Sequence, residues 1–256
     1  MMSPLLSIKN LTVAVGAKVL VNDVSFEVPQ GKILGIAGGS GSGKTTIGLS
    51  ILRLLPPALS IKQGSIVFEG KDLMGLSDED MRRCRGARIG MVFQEPLSAF
   101  DPLFTIGQQM DEVLMAHTPL FPKERYEKIL QTLTEVELPE PKQAYASYPH
   151  QLSGGMRQRA MMAQALVCGP SLIIADEPTS SLDVTLQVKI MELFGRLKAK
   201  KNMSLILIAH DLGMISHLAD EVIICQEGQI VEKGKVREVI DSPRHEYTKA
   251  LIEAFQ

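Results

Sequence analysis

Gly38-Gly39-Ser40-Gly41-Ser42-Gly43-Lys44-Thr45 matches the spacing G-x-x-x-x-G-K-[ST]. Glycines at this density let backbone N–H groups turn inward around phosphate oxygens at the start of a helix. Lys44 brings a cation to the β- and γ-phosphates, and the Thr45 hydroxyl can ligate Mg2+. Thr46, next along, is counted with the loop as a nucleotide contact. A plain glycine-rich turn is the bland alternative; at ordinary glycine usage a chance match in such a chain is on the order of one in a hundred. Leu172-Ile173-Ile174-Ala175-Asp176-Glu177 ends an apolar run on two acids. At the carboxyl edge of a parallel sheet Asp176 can hold the water shell of Mg2+, while Glu177 can take a proton from an attacking water. Polar residues closing a surface strand would look the same, but downstream of a phosphate loop that alternative loses weight. His210 closes a further run, Leu205 to Ala209, and would emerge along the same sheet edge, placed for a γ-phosphate; taken alone, a histidine there is more often structural. Leu152-Ser153-Gly154-Gly155-Met156-Arg157-Gln158-Arg159 starts a helix with free amides facing an anion, a second phosphate site. An ordinary cap would explain Ser153 but not two poor helix formers after it.

These residues need strands and helices to hold them. Lys32 to Ala37 is a short apolar run, followed by the glycines and by a helix-compatible Thr45 to Leu54, the strand, loop, helix order of a parallel α/β sheet. Ser171 to Asp176 and Met203 to His210 read as sister strands. Thr185 to Lys200 reads as a crossover helix, with Leu186, Ile190, Leu193 and Leu197 on one face. Earlier, Leu6 to Pro29 alternates apolar and polar residues, which predicts antiparallel strands with a turn at Asn22-Asp23. From Glu95 to Gly169 alternation stops, and helices are predicted at Phe104 to His117, Lys123 to Glu137 and Gly154 to Val167, with prolines at their edges. Strands return at Glu221 to Cys225 and Gln229 to Lys233 around a Glu227-Gly228 turn. A last helix is predicted over Tyr247 to Phe255, after Ser242-Pro243.

Composition narrows the class. The chain has 256 residues, 45% hydrophobic and 22% charged, which excludes a disordered chain. Its apolar runs fall short of the roughly 20 residues that cross a bilayer. Met1 to Asn10 carries no secretion signal, so retention in the cytoplasm is expected. Lys and Arg number 27 against 29 Asp and Glu, a net charge of −2 that gives no global attraction to nucleic acid, and no such partner is expected. Cys84, Cys168 and Cys225 form no CxxC and read as reduced thiols.

Taken together, the phosphate loop, LSGGMRQR, LIIADEPTSSLD and the His210-Asp211 pair resemble an ATP-binding-cassette ATPase over nearly the whole chain. The resemblance implies an α/β fold: a P-loop ATPase core with a parallel sheet, an amino-terminal antiparallel β region and an inserted helical subdomain. It implies one cassette over 1–256, with the core at 1–94 and 170–256 and the helical subdomain at 95–169. It also implies roles. Gln94 would be the switch glutamine, sensing Mg2+ and water beside a membrane subunit. Ser153 and Gly155 would touch the γ-phosphate held by an opposite ATPase subunit, Asp183 would cross that interface, and His210 would hold the γ-phosphate. Asp183 can equally be a helix cap before Val184.

Within the superfamily, Gln94-Glu95-Pro96 through Asp101-Pro102-Leu103, Tyr148-Pro149-His150-Gln151 and Pro243-Arg244-His245-Glu246-Tyr247-Thr248 resemble the ATP-binding subunits of peptide and nickel importers. Two departures stand out. Val13-Ala14-Val15-Gly16 has no ring where many cassettes stack adenine. The chain also stops at Gln256, without the cysteine-bearing tail of several peptide-importer relatives, which tilts the expectation towards nickel with di- or oligopeptides as the alternative. The expectation is thus an ATP- and Mg2+-dependent ATPase, peripheral on the cytoplasmic face of the membrane. Its partners would be transmembrane permease subunits and a second, similar ATPase subunit, a heterodimer favoured over a homodimer, with an extracytoplasmic substrate-binding protein acting indirectly. A soluble mechanical ATPase of the same fold is a third reading, though the chain has no sustained heptads.

Overall fold

A computed structural model describes residues 3–180 and 182–254, so Met1, Phe255 and Gln256, all named above, and the second serine of LIIADEPTSSLD, Ser181, lie outside the described residues. The chain opens on β1 (Leu6–Val15), β2 (Lys18–Val28), β3 (Ile33–Ala37), α1 (Lys44–Ile51), β4 (Leu59–Phe68), β5 (Lys71–Asp72) and α2 (Asp78–Cys84). Then follow β6 (Ile89–Val92), α3 (Pro96–Ala99), α4 (Ile106–His117), α5 (Pro122–Glu135), α6 (Pro141–Ala146), α7 (Gly154–Leu166), β7 (Leu172–Asp176) and α8 (Val184–Lys201). The last elements are β8 (Ser204–Ala209), α9 (Leu212–Ser216), β9 (Glu221–Gln226), β10 (Gln229–Lys235), α10 (Val236–Asp241) and α11 (Glu246–Glu253). These elements form two compact units, one joining residues up to Arg82 with those from Ser204 onward, the other Arg83–Met203.

The first unit carries an antiparallel sheet in the order β2-β1-β4-β5. Leu6, Ile8, Leu11, Val13, Val24, Phe26, Val28, Ile66 and Phe68 are all buried, so period-two alternation places one face of each strand in a core. The predicted turn at Asn22-Asp23 is wrong: both residues lie inside β2, and the chain reverses instead at Gly16-Ala17, between β1 and β2. Asp23 adopts φ 54° opposite a register shift in β1, and its carboxylate accepts a 2.7 Å hydrogen bond from the Asn10 side chain. The left-handed tolerance of Asp, which favours turns, here forms a bulge within a long strand. Strand β4 has no counterpart among the expected elements, because exposed Lys62, Gln63 and Gly64 interrupt the alternation between Leu59-Ile61 and Ile66-Phe68.

A second sheet of this unit runs β10-β9-β3-β8, with β3 parallel to both β8 and β9, and β10 antiparallel. Every residue of β3 and β8 is buried. That is why both read as continuous apolar runs instead of alternating ones. Their register pairs Ile36 with Ile208 and Ala37 with Ala209, so both strands end level. Helix α1 stops at Ile51, short of the predicted Leu54, because Arg53 turns left-handed at φ 51° and sends its guanidinium to the Leu76 carbonyl at 2.7 Å.

The second unit pairs β6 and β7 in parallel and carries α3 to α8. Pro96, Pro122 and Pro141 stand in the first turns of α3, α5 and α6, where a missing N–H costs nothing. Thr105 and Gln108 form a reciprocal capping box on α4. The carboxyl end of α8 is held by Glu135, which accepts from Lys200 at 3.1 Å and Lys201 at 2.6 Å. Among the described residues no helix is long and apolar enough to cross a membrane.

Candidate nucleotide site

The phosphate loop joins β3 to α1 within the first unit, the local arrangement its spacing requires. Gly38, Gly41 and Gly43 have φ of 153°, 76° and 93°, a region that costs an L side chain about 1 kcal/mol or more. Space is also short. A methyl on Gly38 would run into the Cys225 carbonyl oxygen, and one on Gly43 would stand 2.9 Å from the Leu20 carbonyl oxygen. Gly38 and Gly43 are therefore demanded by both conformation and packing, and Gly41 by conformation alone. Lys44 is buried, and its Nζ donates to Gly38 O at 2.9 Å, Gly39 O at 2.8 Å and Ser42 Oγ at 3.4 Å, which folds the ammonium across the loop. Ser40, Gly41 and Thr45 are exposed and Thr46 half-buried.

Helix α1 starts at Gly43 with no side-chain cap and no acid in its first turn. Gly43, as the cap, has no side chain to bring to that end, and the helix dipole leaves positive potential there. An anion of phosphate type fits this cradle. Cys225, whose carbonyl backs the loop, has a thiol that burial pushes up to about 12 despite the nearby Lys44 charge, so it is no nucleophile. His210 follows β8 as Gly38 follows β3, and the level ends of those strands set the two side by side at one sheet edge. Asp211 accepts from the N–H groups of Gly213 at 2.7 Å and Met214 at 3.3 Å, and so caps α9.

In the second unit β7 is buried throughout, and Asp176 at its end is only 4% exposed. Glu177 takes φ 44°, a left-handed conformation rare for a long side chain. Its Oε2 accepts 3.1 Å from Gln94 Nε2, so the predicted switch glutamine, two residues beyond β6, and the predicted base are directly bonded. The Glu177 carbonyl accepts from Ser180 Oγ at 3.2 Å. Gln187 Nε2 holds the carbonyls of Thr179 and Leu182, each at 3.1 Å.

Ser153 caps α7, its Oγ accepting from the Met156 N–H at 3.3 Å, and Asp183 caps α8, its Oδ1 accepting from the Leu186 N–H at 3.0 Å. The capping readings of both residues therefore hold. Gly155 is different. A methyl there would meet Leu186 at an ordinary 3.4 Å, so nothing among the described residues requires glycine at a helix position where it costs about 1 kcal/mol.

Sequence reasoning missed two residues on the phosphate loop. Tyr247 Oη accepts from the Gly39 N–H at 2.7 Å, and the Gly228 N–H donates to Ser42 O at 3.2 Å. Gly228 was legible only as a turn residue and Tyr247 only as part of the closing segment; no local spacing links either to residues 38–45.

A family model described as ABC transporter matches residues 21–180. The Peptidoglycan transport ATP-binding protein YejF of Agrobacterium fabrum is 44% identical over 256 residues, covering 98% of this chain and 47% of that protein, so the chain spans about half its length. The Dipeptide transport ATP-binding protein DppD of Bacillus subtilis is 43% identical over 256 residues, 98% of this chain and 76% of that protein. Among solved structures, the dimeric post-hydrolysis state of the ATP-binding cassette MJ0796 bound to ADP and Pi superposes with a TM-score of 0.80 at 28% identity, covering 91% of this chain and 99% of that one. The chain belongs to the ABC transporter family, as a nucleotide-binding transport ATPase. The expected fold class is borne out: a mixed-sheet α/β core, an antiparallel amino-terminal sheet and a helical subdomain.

Proposed function

We propose that this chain powers peptide import, hydrolysing ATP on behalf of permease subunits at the cytoplasmic face of the membrane. The observation that carries the ATPase part is the contact between Gln94 and Glu177, which joins the switch position to the base. The cargo follows from the relatives: the similar DppD is named for dipeptide transport, which favours the peptide alternative over the nickel expectation.

In this reading the phosphate loop of 38–45, with Lys44, binds the β- and γ-phosphates, and His210 contacts the γ-phosphate. Glu177 accepts a proton from water as its oxygen attacks phosphorus in line and the bond to ADP breaks. Gln94 aims the Glu177 carboxylate. Thr45 in the first unit offers a hydroxyl, and Gln94 and Asp176 in the second an amide oxygen and a carboxylate; each is an oxygen donor of the kind a hard cation takes, so Mg2+ fits the chemistry of these residues. Bound with ATP, Mg2+ would screen the phosphate charges.

Gly155 argues for a second ATPase subunit. Nothing among the described residues requires glycine at 155, which suits the close approach of a phosphate held by a partner, and the similar MJ0796 cassette is a dimer. We favour a heterodimer with a related chain. Leu97, Leu103 and Phe104 are exposed in the segment after Gln94, which suits docking of a permease there, with an extracytoplasmic binding protein choosing the cargo.

Deleting the chain from its parent cell and measuring dipeptide and nickel accumulation separately tests the cargo. Loss of dipeptide uptake with normal nickel uptake is expected. Loss of nickel uptake alone would restore the nickel reading, and loss of neither would favour the mechanical ATPase.

A further inference from the structure

The contact of Tyr247 with the phosphate loop has no part in the chemistry above, yet it falls on one peptide group that matters. The Gly38 carbonyl and the Gly39 N–H belong to the same planar peptide and point in opposite directions. The carbonyl accepts from Lys44 Nζ at 2.9 Å, while the N–H donates to Tyr247 Oη at 2.7 Å. A peptide between two glycines has little steric resistance to flipping, so its orientation depends on what holds its two ends. Here Lys44 holds one and the phenol the other.

Tyr247 is itself anchored. Its N–H donates to His245 Nδ1 at 3.2 Å, and Glu232 on β10 accepts from the N–H groups of Arg244 at 2.9 Å and His245 at 3.1 Å. Thr248, next in the chain, is fully buried. The closing segment is thereby pinned to β10, and the hydroxyl cannot drift from the loop. The fit is close: a methyl on Gly39 would stand 3.0 Å from the Tyr247 oxygen.

We infer that Tyr247 is a positioning residue for the phosphate loop, a brace from the carboxyl-terminal helix that fixes the 38–39 peptide and through it the station of Lys44. The inference rests on the reading of residues 38–45 as the nucleotide site. Without the phenol the peptide samples both orientations, and ATP must select the competent one, which lowers apparent affinity.

The test uses the full-length chain, with ATP as the probe. Tyr247→Phe keeps the ring and removes only the oxygen. ATP affinity by calorimetry should fall about three- to tenfold, the range for one hydrogen bond, and amide exchange at Gly39 should quicken. In the reassembled transporter the loss should appear in KM for ATP and not in kcat. Gly39→Ala should weaken ATP binding when made in the wild-type chain and much less when combined with Tyr247→Phe, because the oxygen it crowds is gone. Native affinity or native Gly39 exchange in Tyr247→Phe, or additive effects in the pair, overturns the brace. Lys44→Ala separates the two readings: retained ATP binding there defeats the nucleotide site itself, whatever Tyr247 does.

Discussion

Gln94 Nε2 and Glu177 Oε2 stand 3.1 Å apart, so the side chain that would sense a membrane partner is the hydrogen-bond donor to the side chain that would act as base. The bond fixes a carboxylate whose backbone already sits in a strained left-handed conformation, at φ 44°. Glu177→Gln should keep ATP binding and lower turnover by at least about 10²-fold, the usual loss for a general base. Gln94→Ala should leave ATP affinity within about twofold and lower kcat by about tenfold, in line with losing one hydrogen bond to a charged acceptor. Steady-state ATPase assays with parallel ATP titrations check both; wild-type turnover in Glu177→Gln would remove it from the role.

Nucleotide selectivity should be loose. Val13 to Gly16 offers no ring, and a stacked base is worth roughly 1–3 kcal/mol, of which aliphatic contact recovers only part. GTP and CTP are therefore expected to compete with ATP within about tenfold, about 1.4 kcal/mol. Competition titrations showing a strong adenine preference would mean that another side chain supplies the stack.

The Gly155→Ala substitution separates folding from assembly. Within this chain the added methyl meets Leu186 at 3.4 Å, and alanine favours the helix by about 0.5–1 kcal/mol. The isolated variant should melt at or above the wild-type temperature while the assembled transporter loses ATPase activity. The isolated wild-type chain should itself be mostly monomeric and weakly active, which light scattering and an ATPase assay can establish. Full activity in assembled Gly155→Ala would mean that no partner-held phosphate approaches this helix.

The clasp on Glu135 should make stability pH-dependent. Burial acts to raise the pKa of this carboxyl, but the hydrogen bonds from Lys201 and Lys200 outweigh it and hold it below its ordinary 4.5. A carboxyl depressed in the folded state contributes stability above its unfolded pKa and loses it as pH falls through the folded one. Glu135→Gln should therefore melt below wild type near pH 7, and the gap should close as pH drops below about 4.5. A gap unchanged at acid pH would assign the effect to packing.

The phosphate loop, the β7 acids and the capped α7 were legible in the sequence because each is built within one strand, loop or helix. The glycines of 38–43, the apolar run before Asp176 and the Ser-Gly-Gly helix start all report local backbone geometry, and periodicity separates buried strands from helices. Asn22-Asp23 misled for the same reason. A left-handed Asp is compatible with a turn or a bulge, and only the pairing of β2 with β1 decided for the bulge. What the tertiary structure alone decided are the contacts that close over long stretches of chain. Gln94 meets Glu177 across 83 residues, and Gly39 meets Tyr247 across 208. A hydrogen bond of this kind leaves no spacing to read, because sheet order and the docking of α11, not local conformation, bring its donor and acceptor together.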